Sequence, residues 1–278
     1  MQLSCPACGC ATEHRFLYRK NGCDILKCGG CGLGRAQTTA FEPEAYYNRD
    51  YFSGGHSDGY ADYRGAEPVL RREFARTVEL IRRRKPAGRL LDIGCAYGFF
   101  LQEARRHFDV AGIEISDDAA RHARQNGLNV LTGIAEAATL ARLGMMDVIV
   151  LLDVIEHLPA PDKTLSLCAQ HLNPGGIVVI TTGDFASLTA RLAGAHWRLM
   201  TPPQHLWYFT LASMEHLARR LDLHLESSGH PWKVVPMSLV LFQIGRMLGM
   251  RPASPPAASR LGLPVNLFDA MRVVLRKG

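Results

Sequence analysis

The sequence has no hydrophobic run long enough to cross a membrane. The longest candidate, Val234 to Met250, is interrupted by Pro236, Gln243 and Arg246, whereas a spanning helix needs about 20 predominantly apolar residues. The first ten residues, MQLSCPACGC, contain neither the basic leader nor the apolar stretch of a secretory signal. These absences argue against a membrane bundle, and we expect a protein of the reducing cytoplasm.

The sequence also lacks a large excess of either positive or negative charge. The 278 residues include 32 Lys and Arg against 26 Asp and Glu, a net charge of +6. The one dense run, Arg82 to Lys85, falls where we predict the C-terminal end of a helix, and the helix dipole favours cations there. A nucleic-acid-binding face at this run is the alternative. With 47% hydrophobic and 21% charged residues, the composition is typical of a globular protein with a large core.

Composition divides the chain into three zones. Residues 1–40 hold six of the eight cysteines and few large hydrophobic residues, so this zone needs a covalent or metal link to fold. Residues 41–68 are rich in Tyr, Phe, Gly and Asp and are predicted to form an aromatic connector or lid. Residues 69–278 are predicted to form one domain, with a helical insertion at about 237–264.

In the third zone, helical and strand patterns alternate as expected for stacked βα units. Continuous apolar runs such as VIVLL at 148–152 are typical of strands that are covered on both faces. The sequence therefore predicts an α/β fold with a doubly wound, mainly parallel sheet.

Two CxxC pairs, Cys5 with Cys8 and Cys28 with Cys31, are separated by nineteen residues. Each pair can place two thiolates on a tight turn, and four thiolates can surround one Zn²⁺ tetrahedrally. Such binding is worth about 10–16 kcal/mol, enough to fold a segment with almost no core. With four thiolates bound, no position is open for water, so we predict a structural zinc ribbon. The alternatives are disulfides, which suit an oxidising compartment, or unrelated free thiols.

A glycine-containing loop, LLDIGCAYG, follows the strand predicted at 89–94. Gly94 and Gly98 allow a tight turn before a helix, so that the backbone can approach a ligand at the carboxyl edge of the sheet. Glu114 stands at the end of the next predicted strand, where a carboxylate can accept both hydroxyl protons of a ribose. The pattern predicts a nucleoside cofactor.

The loop departs from the fingerprint of dinucleotide-binding proteins. Counted from Gly94, the second and third glycine positions are Ala96 and Phe99, which disfavours a pyrophosphate on the helix N-terminus. Asp92 would repel phosphate but suits a cationic ligand. S-adenosylmethionine meets both conditions.

These segments resemble the class I S-adenosylmethionine-dependent methyltransferases. The resemblance rests on LLDIGCAYG, on Glu114, on DVIVLLDVIEHL (147–158) and on LNPGGIVVITT (172–182). It implies a Rossmann-like fold of seven strands, the last of them antiparallel. The cysteine zone, joined to YYNRDYF and this core, is also similar to bacterial methyltransferases of sugar, polysaccharide and natural-product pathways.

The resemblance also implies how the cofactor is held. The first motif binds its methionine end, the acid after the second strand binds its ribose, a position after Gly133 lies near the adenine, and the acid after the fourth strand lies beside the transferred methyl. The residues expected to bind the cofactor are Asp92, Gly94, Tyr97, Gly98, Glu114, Ala135 and Asp153.

Two histidines are candidate catalytic bases. A base is needed only if the acceptor must lose a proton, and neutral imidazole can accept one near neutral pH. His157 follows the predicted fourth strand, where the alternative is a structural hydrogen bond that holds the loop. His205 lies in the loop PPQHLWYF, near Trp197, Trp207 and Tyr208, which are either a wall for the substrate or part of the core.

We therefore expect a cytoplasmic methyltransferase that acts on a small molecule or a carrier-linked sugar or natural product. An RNA methyltransferase, with the ribbon holding nucleic acid, is one alternative. A non-catalytic protein whose ribbon recruits a partner is the other, although such a protein has no need for the ribose acceptor Glu114.

Overall fold

The computed structural model describes residues 1–38, 46, 63–236 and 262–278. The strands, in chain order, are β1 (Gln2–Cys5), β2 (Cys10–Lys20), β3 (Cys23–Cys28), β4 (Gly34–Gln37), β5 (Arg89–Ile93), β6 (Asp109–Glu114), β7 (Asn129–Thr132), β8 (Met146–Leu152), β9 (Leu172–Gly183), β10 (Trp207–Tyr208), β11 (Leu223–Gly229), β12 (Lys233–Pro236), β13 (Gly262–Val265) and β14 (Ala270–Lys277). The α-helices in the same ranges are α1 (Glu67–Arg82), α2 (Phe99–Ala104), α3 (Asp117–Gln125), α4 (Ala137–Leu143), α5 (Pro161–Gln170), α6 (Leu188–Ala193) and α7 (Leu211–Arg220).

Local sequence signals account for several helix boundaries. Pro68 lies in the first turn of α1, where its missing N–H costs nothing, and Arg82 lies in the last turn. Ser116 precedes α3 and its hydroxyl accepts the Ala119 N–H, as its position before the helix predicts. Gly144, with φ at +73°, follows α4 in a backbone conformation that favours glycine.

The larger sheet contains seven strands in the order β11-β14-β9-β8-β5-β6-β7. The five strands from β9 to β7 run parallel, and β14 is antiparallel to both β9 and β11. This order places the carboxyl ends of β5, β6 and β8 side by side. The predicted fold, a mostly parallel Rossmann-like sheet of seven strands, is confirmed.

Apolar layers cover both faces of this sheet. Neighbouring residues of a strand point to opposite faces, so that Leu90 belongs to the layer under α1, α2 and α3, while Leu91 belongs to the layer under α4, α5 and α7. The second layer also contains Leu33 of the cysteine-rich sheet. The two sheets therefore share one hydrophobic core.

The N-terminal strands form a smaller sheet in the order β1-β2-β3-β4-β10. Its last strand, β10, comes from the second half of the chain, with Trp207 opposite Arg35 and Tyr208 opposite Gly34. Arg220 of α7 also donates to the carbonyl of Pro6 at 2.6 Å. The ribbon is thus attached to the larger domain through backbone pairing.

The described end of the predicted insertion is a strand. Residues Gly262–Val265 pair antiparallel with Lys233–Pro236, and the helix expected at 237–249 lies outside the described residues. Within the described ranges, no helix has the length and hydrophobicity to cross a membrane.

Gly34 tests the attachment of the ribbon. A Cβ at Gly34 would lie 2.8 Å from both Phe185 Cε1 and Tyr208 Cβ, whereas a Cβ at Gly229 would meet no atom within 4 Å. We expect Gly34→Ala to lower the free energy of unfolding by about 1–3 kcal/mol because it forces apart a packed contact. Gly229→Ala should change it by no more than about 0.5 kcal/mol. Urea denaturation of both variants checks this, and equal effects would contradict the attachment.

Candidate active site

The glycine loop between β5 and α2 adopts a conformation that its sequence requires. Gly94 and Gly98 have φ values of +75° and +78°. A Cβ at Gly94 would lie 2.6 Å from Val154 Cγ2, so a side chain there would collide with the segment after β8. Ala96, which replaces the usual middle glycine, also has a positive φ, +47°. A left-handed alanine costs of the order of 1–2 kcal/mol, so the loop holds local strain.

Glu114 ends β6 and lies beneath this loop, only 4% exposed. Its two oxygens accept hydrogen bonds from the backbone N–H groups of Ala96, at 2.7 Å, and Ser116, at 2.8 Å. Burial raises the pKa of Glu114, and these backbone donors oppose the shift. Each carboxylate oxygen can accept more than one hydrogen bond, so the carboxylate is oriented and still able to bind hydroxyl groups.

Asp92 lies next to Glu114 at the end of β5 and is 3% exposed. Within the described part of the chain, its carboxylate makes no hydrogen bond or ion pair. Burial and the neighbouring Glu114 carboxylate raise the pKa of Asp92 well above its usual value. A buried acid without a partner is costly, and a cationic group bound beside it would offset this cost. The pair Asp92 and Glu114 therefore fits a cationic nucleoside such as S-adenosylmethionine.

Tyr97 and Ala135 are the other predicted cofactor residues near this edge. The Tyr97 hydroxyl donates to Asp118 at 3.2 Å, and its ring packs against Phe99 and Tyr63. The side chain of Tyr97 therefore supports the loop by packing. Ala135 follows β7 and is half-buried at the same edge of the sheet.

Asp153 follows β8 with a φ of +57° and belongs to an ionic network. One of its oxygens accepts from the Thr181 hydroxyl at 2.9 Å, and the other accepts from Lys233 Nζ at 2.7 Å. Lys233 also pairs with Glu73 of α1 at 3.1 Å. Burial opposes ionisation of Asp153, but Lys233 outweighs it and lowers the pKa of this carboxyl. The sequence analysis missed Lys233 and Glu73, because no local pattern marks either residue.

His157 and His205 lie side by side, with ring centroids 4.6 Å apart. Nδ1 of His157 lies 2.9 Å from the Gln204 carbonyl oxygen, and Nδ1 of His205 lies 2.8 Å from that of Leu199. A carbonyl only accepts, so in each ring Nδ1 carries the proton and Nε2 keeps the lone pair. Burial lowers the pKa of His157 to about 4 and that of His205 to about 3. Both imidazoles are neutral near pH 7.

Glu156 completes this cluster and was also missed by the sequence analysis, although it directly precedes His157. It is 4% exposed, and its Oε2 has no hydrogen-bond partner among the described residues. Burial and the Asp153 charge raise the pKa of Glu156 to about 8. One ligand atom each of Glu156, His157 and His205 lies within 4.8 Å of the others. Near pH 7 the Glu156 carboxyl is therefore protonated and uncharged, and the two imidazoles are uncharged as well.

The aromatic residues around His205 belong to the core. Trp197 donates from Nε1 to Asp269 at 3.1 Å, and Trp207 donates from Nε1 to the Leu158 carbonyl at 2.9 Å. Both rings are buried, as is Tyr208. Of the two interpretations of these residues, packing is the one that the structure supports.

The predicted lid lies mostly outside the described residues. Tyr47, Tyr51 and Tyr60 belong to that part of the chain. The Tyr46 hydroxyl donates to Gln204 Oε1 at 3.3 Å, and Tyr63 stacks on Phe99 with ring centroids 5.5 Å apart.

The four cysteines of the two CxxC pairs lie together. Cys5 Sγ is 3.6 Å from Cys31 Sγ, Cys8 Sγ is 3.7 Å from Cys28 Sγ, and all four sulfur atoms lie within 4.8 Å of one another. Zn–S bonds of about 2.3 Å place the sulfurs of a tetrahedral site about 3.8 Å apart, and the observed distances fit this geometry. All four are free thiols.

Residues 64–228 match the family described as a methyltransferase domain. This range is more than half of the 278 residues, and the strand order and the glycine loop agree with it. The chain belongs to this family of methyltransferase domains.

Two curated relatives illustrate the similarity. The ubiquinone biosynthesis O-methyltransferase of Caulobacter sp. (strain K31) is 34% identical over 130 residues, which are 43% of this chain and 52% of the relative. That of Alkalilimnicola ehrlichii is 30% identical over 152 residues, which are 50% of this chain and 62% of the relative. The chain thus spans little more than half the length of the curated relatives it matches.

Solved structures share the fold at low identity. The plantazolicin methyltransferase in complex with SAH has a TM-score of 0.51 at 17% identity, over 76% of this chain and 85% of that one. The magnesium protoporphyrin IX methyltransferase from Synechocystis PCC 6803, with bound SAH, has a TM-score of 0.54 at 14% identity, over 84% of this chain and 98% of that one.

The cysteine cluster predicts that the loss of one of its thiols affects both metal binding and stability. We expect Cys31→Ser to reduce bound zinc from about one ion per chain to almost none, because a structural zinc needs all four ligands, and to lower the melting temperature. The exposed Cys10 lies outside the cluster, so Cys10→Ser should retain the metal. Metal analysis and thermal unfolding check both. A fully folded, metal-free wild type would contradict the zinc site.

The two imidazoles predict a pH dependence of stability. The folded-state pKa values, about 4 for His157 and about 3 for His205, lie below the unfolded value of about 6.5. Between those limits the unfolded chain binds more protons, so stability falls as the pH is lowered through this window. We expect the drop in urea midpoint from pH 7 to pH 5 to be smaller in His205→Gln than in the wild type.

Glu156, with its raised pKa, contributes with the opposite sign, so the comparison between variants isolates the imidazole. His216→Gln, at an exposed position of α7, should keep the wild-type drop. The same drop in all three proteins would show that His205 is not held neutral by burial.

Proposed function

We propose that this protein transfers a methyl group from S-adenosylmethionine to a small-molecule or carrier-linked sugar or natural-product acceptor. The observation that carries the proposal is the pair of buried carboxylates, Asp92 and Glu114, at the ends of adjacent parallel strands beneath a glycine loop. Asp92 has no partner in the described part of the chain, and a positively charged ligand supplies one. The family match supports the same conclusion.

Each residue of the cofactor site has a proposed role. Asp92 binds the cationic methionine end, Glu114 accepts from the ribose hydroxyls, Gly94 and Gly98 let the backbone approach, and the chain at Ala135 lies near the adenine. When bound, S-adenosylmethionine supplies an electrophilic methyl group on a positively charged sulfur. Asp153 borders the place of transfer.

Most of the rate is expected to come from positioning, which is worth about 7–11 kcal/mol in well-oriented systems. An acceptor hydroxyl that must lose its proton has two bases within reach of one another, His157 and His205. Their low pKa values keep both imidazoles uncharged near neutral pH, which is the form that can accept a proton. A protonated Glu156 beside them adds no negative charge that would bind the proton first.

Several features support a small acceptor. The curated relatives are named for O-methylation in ubiquinone biosynthesis, which supports transfer to an oxygen atom of a small molecule. The combination of a cysteine-rich ribbon with this core resembles enzymes of sugar and natural-product pathways. The zinc ribbon has no open coordination position, so its proposed role is structural.

Asp92 provides the test of the cofactor site. We expect Asp92→Asn to weaken binding of S-adenosylmethionine at least tenfold, because a charge-assisted hydrogen bond worth about 1.5–3 kcal/mol is lost. Glu79→Gln removes a carboxylate from the exposed face of α1 and should leave the affinity unchanged. Isothermal calorimetry measures both.

The acceptor class requires a second measurement. With methyl-labelled S-adenosylmethionine, label should enter a small-molecule or carrier-linked acceptor and not structured RNA. No cofactor binding by the wild type would overturn the whole proposal. If the wild type binds the cofactor but labels only RNA, the acceptor is RNA and the proposed acceptor class is wrong.

A further inference from the structure

A cavity of about 460 Å³ opens beside Glu73 and Thr181. It lies between α1, the carboxyl end of β9, the start of β14 and the chain that precedes β12. The lining residues that matter here are Glu73, Arg76, Thr181, His230, Trp232 and Arg272. Its volume is within the range of about 300–1,000 Å³ typical of small-molecule sites.

Two contacts connect this cavity to the proposed place of methyl transfer. Thr181 lines the cavity and donates its hydroxyl hydrogen bond to Asp153 at 2.9 Å. Glu73 lines it as well and pairs with Lys233, which in turn binds Asp153 at 2.7 Å. An occupant of the cavity therefore lies one residue away from the end of β8.

The cavity has an excess of positive charge. Among the described residues that line it, the one carboxylate is that of Glu73, which already binds Lys233 at 3.1 Å and the Val234 N–H at 3.1 Å. Arg76 and Arg272 make no hydrogen bond or ion pair with any described residue. The other lining residues in the described ranges add no further carboxylate.

Arg272 is the more confined of the two arginines. It is half-buried in β14, opposite Thr181 of β9. Burial and the nearby Arg84 lower the pKa of Arg272, although Glu73 opposes them. A guanidinium stays charged in proteins, so Glu73 offsets its desolvation only in part and a bound anion would offset more of it. Planar guanidinium groups bind carboxylate and phosphate in a bidentate manner.

Trp232 adds an apolar wall. It is 55% exposed, whereas the other two tryptophans of the chain are buried. No aromatic ring among the described residues stacks on it. Its indole face is available to the body of a ligand whose anionic end reaches the arginines.

We propose that this cavity is the acceptor site and that the acceptor is a small molecule with a carboxylate or phosphate group, held by Arg76 and Arg272, and a flat apolar body that lies against Trp232. The inference rests on the proposed methyl transfer and specifies its substrate class. The two arginines then determine specificity and position the acceptor, without taking part in the chemical step.

The test of this acceptor site uses simple probes and protein saturated with S-adenosylhomocysteine (SAH). Benzoate and phenyl phosphate carry the anion and the ring, benzamide is the neutral match, and inorganic phosphate lacks the ring. Ligand-observed NMR titration should show benzoate and phenyl phosphate binding at least five times more tightly than benzamide. Phenyl phosphate should also bind at least five times more tightly than inorganic phosphate, because only it contacts Trp232.

Variants then assign the contacts. Arg272→Gln and Arg76→Gln should each weaken phenyl phosphate about tenfold, which corresponds to about 1.4 kcal/mol. Arg83→Gln, at the exposed end of α1, is the matched control and should have no effect. Arg76 is exposed, so its replacement keeps the test valid even if Arg272→Gln fails to fold.

Calorimetry with SAH separates this inference from the proposed function. Unchanged SAH affinity together with weakened anion binding supports the acceptor site. Anion binding that is insensitive to both arginines, or equal to that of benzamide, overturns the inference and leaves the methyltransferase proposal intact. Loss of SAH affinity in the arginine variants would assign them to the carboxylate of the cofactor and also overturn it. Failure of the wild type to bind SAH would overturn the proposed function itself.

Discussion

The burial of Asp92 and Glu114 at the ends of two parallel strands is the constraint on which the rest of this site depends. Two carboxylates that are 3% and 4% exposed carry a desolvation cost. The chain offsets it for Glu114 with two backbone N–H donors. One of these comes from Ala96, which is held in a left-handed conformation to provide it. Ala96, Glu114 and Ser116, the residue that caps α3, are thus joined by hydrogen bonds into one unit.

The carboxyl groups of the segment after β8 are stabilised differently. Asp153 is kept ionised by Lys233, whereas three residues later Glu156 is kept neutral by burial and by the charge of Asp153. Two carboxyl groups in one short segment therefore hold opposite protonation states near pH 7. The imidazoles of His157 and His205 lie beside the neutral Glu156 carboxyl, and the charge of Asp153 only partly opposes the lowering of their pKa values by burial.

Local sequence patterns predicted much of this arrangement. They could not predict the contacts between residues that are distant in the sequence. Apolar runs predicted β8 and β9, and the Ser116 cap predicted the start of α3, because each signal lies within one turn or strand. The CxxC spacing predicted which thiols would meet. Lys233 and Glu73 are 160 positions apart, and only the packing of β12 on α1 brings them together. Periodicity also cannot separate a buried Trp207 from a substrate wall, since both are apolar.

The ribbon is best understood through the loop that carries His205. Asn21 donates to the Pro202 carbonyl at 2.8 Å, Ala36 N–H donates to the Leu206 carbonyl at 2.9 Å, and β10 completes the ribbon sheet. From the other side, the Leu206 N–H donates to the Glu156 carbonyl at 2.9 Å. The loop is therefore clamped between the ribbon and the segment that holds His157. The thiol cluster is therefore linked, through the ribbon sheet and this loop, to the segment that carries His157.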